Sequence, residues 1–270
     1  MWQAYQHDIQ IMGILNATPD SFSDGGQFNQ LDKALRHAEQ MVADGVSIID
    51  IGGESTRPGA AAVSLAQELE RVIPLIEAIQ QRIDIPLSID SSKPAVMQAA
   101  VQAGVALIND VRALQEPDAL AVCAALDVPI CLMHMQGLPR TMQQQPSYTN
   151  VITDVEQFFQ ARIKACVQAG IQPERLLLDP GFGFGKNLNH NLDLLLNLNV
   201  LNRLGLPLLV GVSRKSMIGQ LSANVKADQR DEASALVGLL SIYQGARILR
   251  VHNVKQTVTA LNTFKQALQA

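Results

Sequence analysis

Short apolar runs rich in Val, Ile and Leu alternate with amphipathic stretches from end to end of this chain, and that rhythm restricts its fold more than any other property. Eight runs read as strands, at 10–15, 47–51, 86–89, 106–108, 129–133, 175–178, 208–212 and 246–249. Helical patterns fall between and after them, at 31–43, 66–82, 95–103, 118–126, 151–169, 192–204, 231–244 and 254–268. Several end in Gly or meet a Pro within a few residues, as at Gly45, Gly104, Gly170, Pro86, Pro129 and Pro207. Eight strand–helix units in about 250 residues match the unit count and length of a (β/α)8 TIM barrel. No linker or shift of composition divides the chain, so residues 1–270 are expected to form a single α/β domain. An open doubly wound sheet is the architectural rival.

Composition agrees with helices packed on a parallel sheet. Aromatics are only 4% of the chain, while small and branched apolar side chains are abundant. Lys and Arg number 21 against 25 Asp and Glu, a formal net charge of -4, which argues against a nucleic-acid surface built on general positive charge. Any anion site must therefore be local. Cys123, Cys131 and Cys166 have neither the number nor the spacing of a disulfide framework or zinc site and read as buried apolar residues. No apolar run is long enough to span a membrane, and residues 1–10 do not read as a secretion signal, so a cytoplasmic protein is expected.

The polar residues are placed more tellingly than the apolar ones. Just past the strands stand Asn16, Glu54 with Thr56 and Arg57, Asp90, Asn109 with Asp110, His134, Asp179, Ser213 with Lys215, and Arg250 with His252. In a barrel these strand ends converge on one face, where active sites of the fold are built. Any one of them could cap a helix, and Ser91, Ser92 and Asn253 read best that way. Eight together point to a shared site.

Three motifs carry chemistry. The run Gly181-Phe182-Gly183-Phe184-Gly185-Lys186 lacks the spacing of a P-loop, and a dinucleotide fingerprint would need glycine where Lys186 stands. Its glycines suit a turn passing close to a flat ligand. Val212-Ser213-Arg214-Lys215-Ser216 follows a strand and opens a helix, so N–H groups, a hydroxyl and two cations could meet an anion there, unless it is merely a solvated basic turn. Arg250 and His252, two apart on a strand, point the same way and form a candidate phosphate clamp. Asp90 and Asp179 at the mouth need a ligand or cation, for which Lys215 is the candidate. His7 and His37 read as surface residues, His134 as shaping its loop, and His190 with Asn191 as a helix start.

These residues together resemble the bacterial dihydropteroate synthase family. The segments 12–26 (Met-Gly-Ile-Leu-Asn-Ala-Thr-Pro-Asp-Ser-Phe-Ser-Asp-Gly-Gly) and 50–59 (Asp-Ile-Gly-Gly-Glu-Ser-Thr-Arg-Pro-Gly) are similar to its two signatures. Segments 132–137, 179–186, 211–216 and 250–252 follow in family order, so the resemblance covers essentially the whole chain. Ala17, Val111 and Asn253 are mild departures, standing where Val, Ile and Asp are more usual.

The resemblance implies condensation of 6-hydroxymethyl-7,8-dihydropterin diphosphate with 4-aminobenzoate, by C–O cleavage ahead of nucleophilic attack. It places the pterin on Asp90, Asn109, Val111, Met133, Asp179, Phe184, Gly211 and Lys215. The diphosphate falls to Asn16, Thr56, Arg57, Arg250 and His252, with Asn16 as protein ligand to Mg2+, and 4-aminobenzoate to Phe22, Thr56, Pro58, Phe184, Lys215 and Ser213. Asp90, Asn16, Arg250, His252 and Lys215 are the catalytic candidates. A homodimer contacting through 231–244 and 254–268, and a target for sulfonamides, are further expectations of the family. A related pterin-binding methyltransferase shares the pterin pocket but has no diphosphate to hold. An aldolase forming a Schiff base on Lys215 and a non-catalytic pterin-binding barrel are the more distant alternatives.

Overall fold

The computed structural model describes residues 8–17, 27–55, 62–137 and 141–269. Eight parallel strands close into a barrel in sequence order: β1 (Gln10–Asn16), β2 (Ile48–Gly52), β3 (Leu87–Asp90), β4 (Leu107–Asp110), β5 (Ile130–Met133), β6 (Leu176–Asp179), β7 (Leu208–Val210) and β8 (Ala246–Val251). The helices that return the chain are α1 (Gln27–Ala43), α2 (Leu65–Gln80), α3 (Pro94–Gln102), α4 (Ala119–Ala125), α5 (Val151–Gln168), α6 (Leu188–Leu196), α7 (Ser216–Leu221), α8 (Asp231–Tyr243) and α9 (Val254–Gln269). The doubly wound alternative is excluded, because β1 pairs with β8.

Side-chain alternation divides each strand between two apolar clusters. Outward-facing residues such as Ile49, Ile51, Ile89, Ile108, Leu132 and Leu178 pack under the helices. Inward-facing Met12, Ile48, Leu107, Cys131, Leu177, Leu209 and Ile248 form a second cluster that fills the barrel. Two residues further along, the same inward face carries Ile14, Asp50, Asn109, Met133, Asp179, Gly211 and Arg250. Register brings Asp90 to this level, opposite Gly52 on one side and Asn109 on the other. An apolar plug thus lies directly beneath a largely polar ring.

Most strands end later than their apolar runs predict. β2, β3, β4 and β6 finish on Gly52, Asp90, Asp110 and Asp179, whereas the hydrophobic patterns stop at 51, 89, 108 and 178. Gly52, Asp90 and Asp179 leave the core for the mouth, so an apolar criterion misses them, whereas Asp110 is fully buried and accepts from Ser92 and from the N–H groups of Arg112 and Leu114. The expected helix at 192–204 is α6 followed by a 3-10 turn, Leu198–Leu204, and the helix expected to open from the 212–216 segment is the short α7. Cys123, Cys131 and Cys166 are free and buried.

Candidate active site

Arg250 is the pivot of the mouth. Its Nε donates to Asp50 Oδ2 at 2.6 Å and its Nη2 to Asp90 Oδ2 at 2.6 Å, while Asn109 Nδ2 also donates to Asp50 Oδ2 at 3.1 Å. Asp50 Oδ1 and Asp90 Oδ1 are buried without a partner. Burial raises the Asp90 carboxyl to about 7, with Arg250 opposing and Asp50 reinforcing the rise. Burial works against the Arg250 charge too, but Asp50 and Asp90 outweigh it and hold its pKa above the usual value.

This arrangement alters two expectations. Arg250 and His252 do not form one clamp: Arg250 turns across the barrel, whereas His252 turns to Ser213, whose Oγ accepts from its N–H at 3.1 Å and lies 2.9 Å from its Nδ1. The ion partner of Asp90 is Arg250 rather than Lys215. Asp50 was legible only as part of a motif. Its signal was available, since it is the one charged residue of β2 and shares the inward face of Ile48 and Gly52.

Asp179 closes β6 with 5% of its surface exposed, and its Oδ1 accepts from the Gly181 N–H at 2.8 Å. Burial raises this carboxyl, and Lys215 is the strongest opposing charge. Lys215 Nζ donates to the Phe182 carbonyl and sits 4.4 Å from the centroid of the Phe184 ring. Burial pulls its ammonium down to about 8, with Asp179 resisting. Gly181, Gly183 and Gly185 all have positive φ, and a Cβ would lie 1.9 Å from the His134 carbonyl oxygen at Gly181 and 2.3 Å from that of Gln136 at Gly185. These two glycines therefore let the turn press against the loop after β5; a Cβ at Gly181 would also lie 3.4 Å from Met133 Cγ, and one at Gly183 would lie 3.1 Å from Lys215 Cδ.

Residues 12–252 match the family of pterin binding enzymes. The dihydropteroate synthase of Escherichia coli strain K12 is 54% identical over 260 residues, 96% of this chain and 92% of that one. The Yersinia pestis dihydropteroate synthase in a sulfonamide drug complex superposes with a TM-score of 0.92 at 55% identity, covering 97% of this chain and 95% of that one. The Xanthomonas albilineans dihydropteroate synthase in complex with 7,8-dihydropteroate gives 0.89 at 45% identity, covering 98% and 95%.

The chain belongs to the dihydropteroate synthases.

The remaining candidates are distributed unevenly. Asn16 ends β1 opposite Gly52 and is half-buried at the mouth. Met133 and Val111 are buried at the ends of β5 and β4, and Gly211 lies beside Arg250, whose Cβ is 3.7 Å from where its own Cβ would be. Phe22, Thr56, Arg57 and Pro58 lie outside the described residues, as does His7. Glu54 does not face the mouth chemistry. Its Oε1 accepts from the Val63 N–H at 3.3 Å and its Oε2 pairs with Lys93, which ties together the two ends of its loop.

Ser213 is not at a helix start, since α7 begins at Ser216 with Lys215 in the N-cap position. Arg214 is no free cation either, being held by Asp231 at 2.6 and 2.7 Å. Asn253 Oδ1 accepts from the Gln256 N–H at 3.0 Å, a capping contact, and Ser91 Oγ accepts from the Lys93 N–H. Ser92 instead donates to Asp110 at 2.5 Å. His190 joins Asn187 in a capping box at the start of α6, whereas Asn191 is buried and reaches into the glycine-rich turn.

Proposed function

We propose that this chain condenses 6-hydroxymethyl-7,8-dihydropterin diphosphate with 4-aminobenzoate, forming 7,8-dihydropteroate and diphosphate. The observation that carries the reading is the mouth itself, where Asp179 presents an almost buried carboxylate between Lys215 and the Arg250–Asp90 pair. A carboxylate there can accept from the 2-amino group and ring N–H of a pterin, and Asn109 and Asp90 lie on neighbouring strands to meet the same ring. Met133, Val111 and Phe184 supply apolar walls, with Gly211 leaving room for the ring.

Chemistry follows from charge. The methylene C–O bond breaks with its electron pair leaving on diphosphate, the amine nitrogen of 4-aminobenzoate attacks the resulting pterin-methyl cation, and the amine releases a proton. Asp90 and Asp179 offset the positive charge on the ring, while Arg250, His252, Arg57 and Thr56 take the leaving group. Lys215 orders the pterin side, and Phe22, Pro58 and Ser213 complete the assignment around 4-aminobenzoate.

Asn16 fits the role of a Mg2+ ligand in its donor chemistry. It offers one neutral amide oxygen at the mouth, and among the described residues no three His, Cys, Asp or Glu side chains gather into a metal cage, so phosphate and water oxygens would fill the remaining positions. When bound, the ion would neutralise diphosphate charge.

A homodimer is proposed through α8, where Leu236, Leu240 and Tyr243 recur at helical spacing and stay exposed, Leu236 by 69% and Tyr243 by 74%. Three free buried thiols suit a reducing compartment such as the cytoplasm, and no helix among the described residues is long and apolar enough to cross a membrane. Incubating the chain with both substrates and Mg2+ and following both products tests the reading. Dihydropteroate and diphosphate should appear one to one; diphosphate release that continues undiminished without any amine would argue for a hydrolase.

A further inference from the structure

We infer that Lys186, with His134 behind it, is a positioning residue of the pterin pocket: its buried side chain ties the 181–186 turn to the loop after β5 and so fixes the Gly181 N–H that holds Asp179. The inference rests on the assignment of Asp179 to the pterin.

Lys186 is only 2% exposed. Its Nζ lies 2.8 Å from His134 Nδ1, 3.0 Å from the Gly181 carbonyl oxygen and 3.2 Å from that of Phe184. Burial pushes the Lys186 pKa well below the ordinary lysine value, with Asp179 opposing the fall and Lys215 adding to it. The geometry favours the ammonium, because three acceptors match its three N–H bonds whereas a neutral amine would turn its lone pair towards one of them. For His134 Nδ1 to accept, its ring proton must sit on Nε2. That agrees with an imidazole whose pKa burial drives down to about 2, with Lys186 adding to the fall.

Two lysines thus grip one turn from opposite sides. Lys186 takes the carbonyls of Gly181 and Phe184 from behind, and Lys215 takes that of Phe182 from the mouth. Asn191 pins the middle, accepting from the Gly183 N–H at 2.7 Å and donating to the Lys186 carbonyl at 3.2 Å. The Gly181 N–H is the donor that fixes Asp179 Oδ1, and the Phe184 ring underlies the Lys215 ammonium. Releasing Lys186 would therefore disturb both the carboxylate and the cation that face the pterin.

Charge adds a second effect. Asp179 is faced by Lys215 from the loop after β7, Arg250 from β8 and Lys186 from its own turn, with the neutral thiol of Cys131 beside it on β5. Asp50 and Asp90 lie on the far side of Arg250 and absorb much of that cation's charge. Lys215 first, then the Gly181 N–H, Arg250 and Lys186 hold the proton off Asp179, so losing Lys186, which also releases the turn carrying that N–H, makes the acid form easier to reach.

The test is calorimetric titration of 6-hydroxymethyl-7,8-dihydropterin into the wild type, Lys186→Met, His134→Gln and Asp179→Asn across pH. Lys186→Met should weaken binding roughly ten- to hundredfold and move the acid limb of the affinity profile to higher pH. His134→Gln, which keeps the ammonium, should weaken binding several-fold and leave the limb in place. Wild-type affinity and profile in Lys186→Met, or in His134→Gln where the methionine variant does not fold, overturns the inference provided Asp179→Asn has lost affinity. If Asp179→Asn also binds like the wild type, the pterin assignment itself is what fails.

Discussion

Nη2 of Arg250 lies 2.6 Å from Oδ2 of Asp90, joining the last strand of the barrel to the third across the mouth. The pair links a residue assigned to the diphosphate with one assigned to the pterin. Strand alternation had suggested that Arg250 and His252 serve the leaving group together and leave the pterin alone. Because Arg250 also neutralises the fully buried Asp50, its removal has consequences on both sides of the pocket.

Arg250→Ala is accordingly expected to lower the affinity for diphosphate and for a pterin lacking it, and to cost about 3 to 5 kcal/mol of stability by stranding two buried carboxylates. His252→Ala should weaken diphosphate binding and leave pterin affinity within a few-fold, since its partner is Ser213. Calorimetry with each ligand, together with urea melts, separates the two. Unchanged pterin affinity and stability in Arg250→Ala would show that the ion pairs with Asp50 and Asp90 carry no weight.

Asp90 gives the unliganded enzyme a pH signature. Its folded pKa of about 7 lies above the ordinary 3.8, so the folded state keeps a proton that the unfolded chain releases. The contribution of this group to stability is therefore present at low pH and lost as the pH rises from 3.8 towards 7. Asp90→Asn should gain stability relative to the wild type between those limits, read as the difference in Tm against pH. Carbon-13 NMR should show the Asp90 carboxyl titrating near neutrality, and an ordinary carboxylate midpoint would contradict the assigned burial.

Much of this was legible in the chain. Unit count and length implied the closed barrel, and the polar residues at the ends of the apolar runs marked Asp90, Asn109, Asp179, Lys215 and Arg250, which the structure brings to one mouth. What stayed hidden was pairing. A periodic pattern says which way a side chain leaves its strand but not how far a long one reaches, so the turn of Arg250 towards Asp50 and Asp90 was invisible. Lys186 was hidden for a related reason. The sequence around it reads as a turn passing close to a flat ligand and gives Lys186 no role, while its neighbours in space are two carbonyls and a histidine 52 residues away.

Gly181 offers a check on the glycine-rich turn. Its φ of +68° is unfavourable for any residue with a Cβ, and that atom would sit 1.9 Å from the His134 carbonyl oxygen. Backbone conformation alone costs about 1 to 3 kcal/mol, and the clash adds to it. Gly181→Ala should fold with a clearly lowered Tm and impaired pterin binding, measured by thermal melts and calorimetry. Wild-type values for both would mean that the turn is looser than described.

The exposed face of α8 predicts an oligomer. Leu236→Glu combined with Tyr243→Glu should convert a dimer to a monomer in sedimentation equilibrium with little loss of monomer stability, because both side chains project outward. A wild-type protein that sediments as a monomer at micromolar concentration, or a double variant that remains dimeric, would exclude α8 as the interface.

Asp179, set in its ring of cations, is the residue assigned to read the pterin. An asparagine there offers one acceptor and one donor where two acceptors are wanted. Asp179→Asn should therefore lose about 1.5 to 3 kcal/mol of binding free energy for 6-hydroxymethyl-7,8-dihydropterin, measured calorimetrically in protein that still unfolds cooperatively. An affinity equal to that of the wild type would contradict the account.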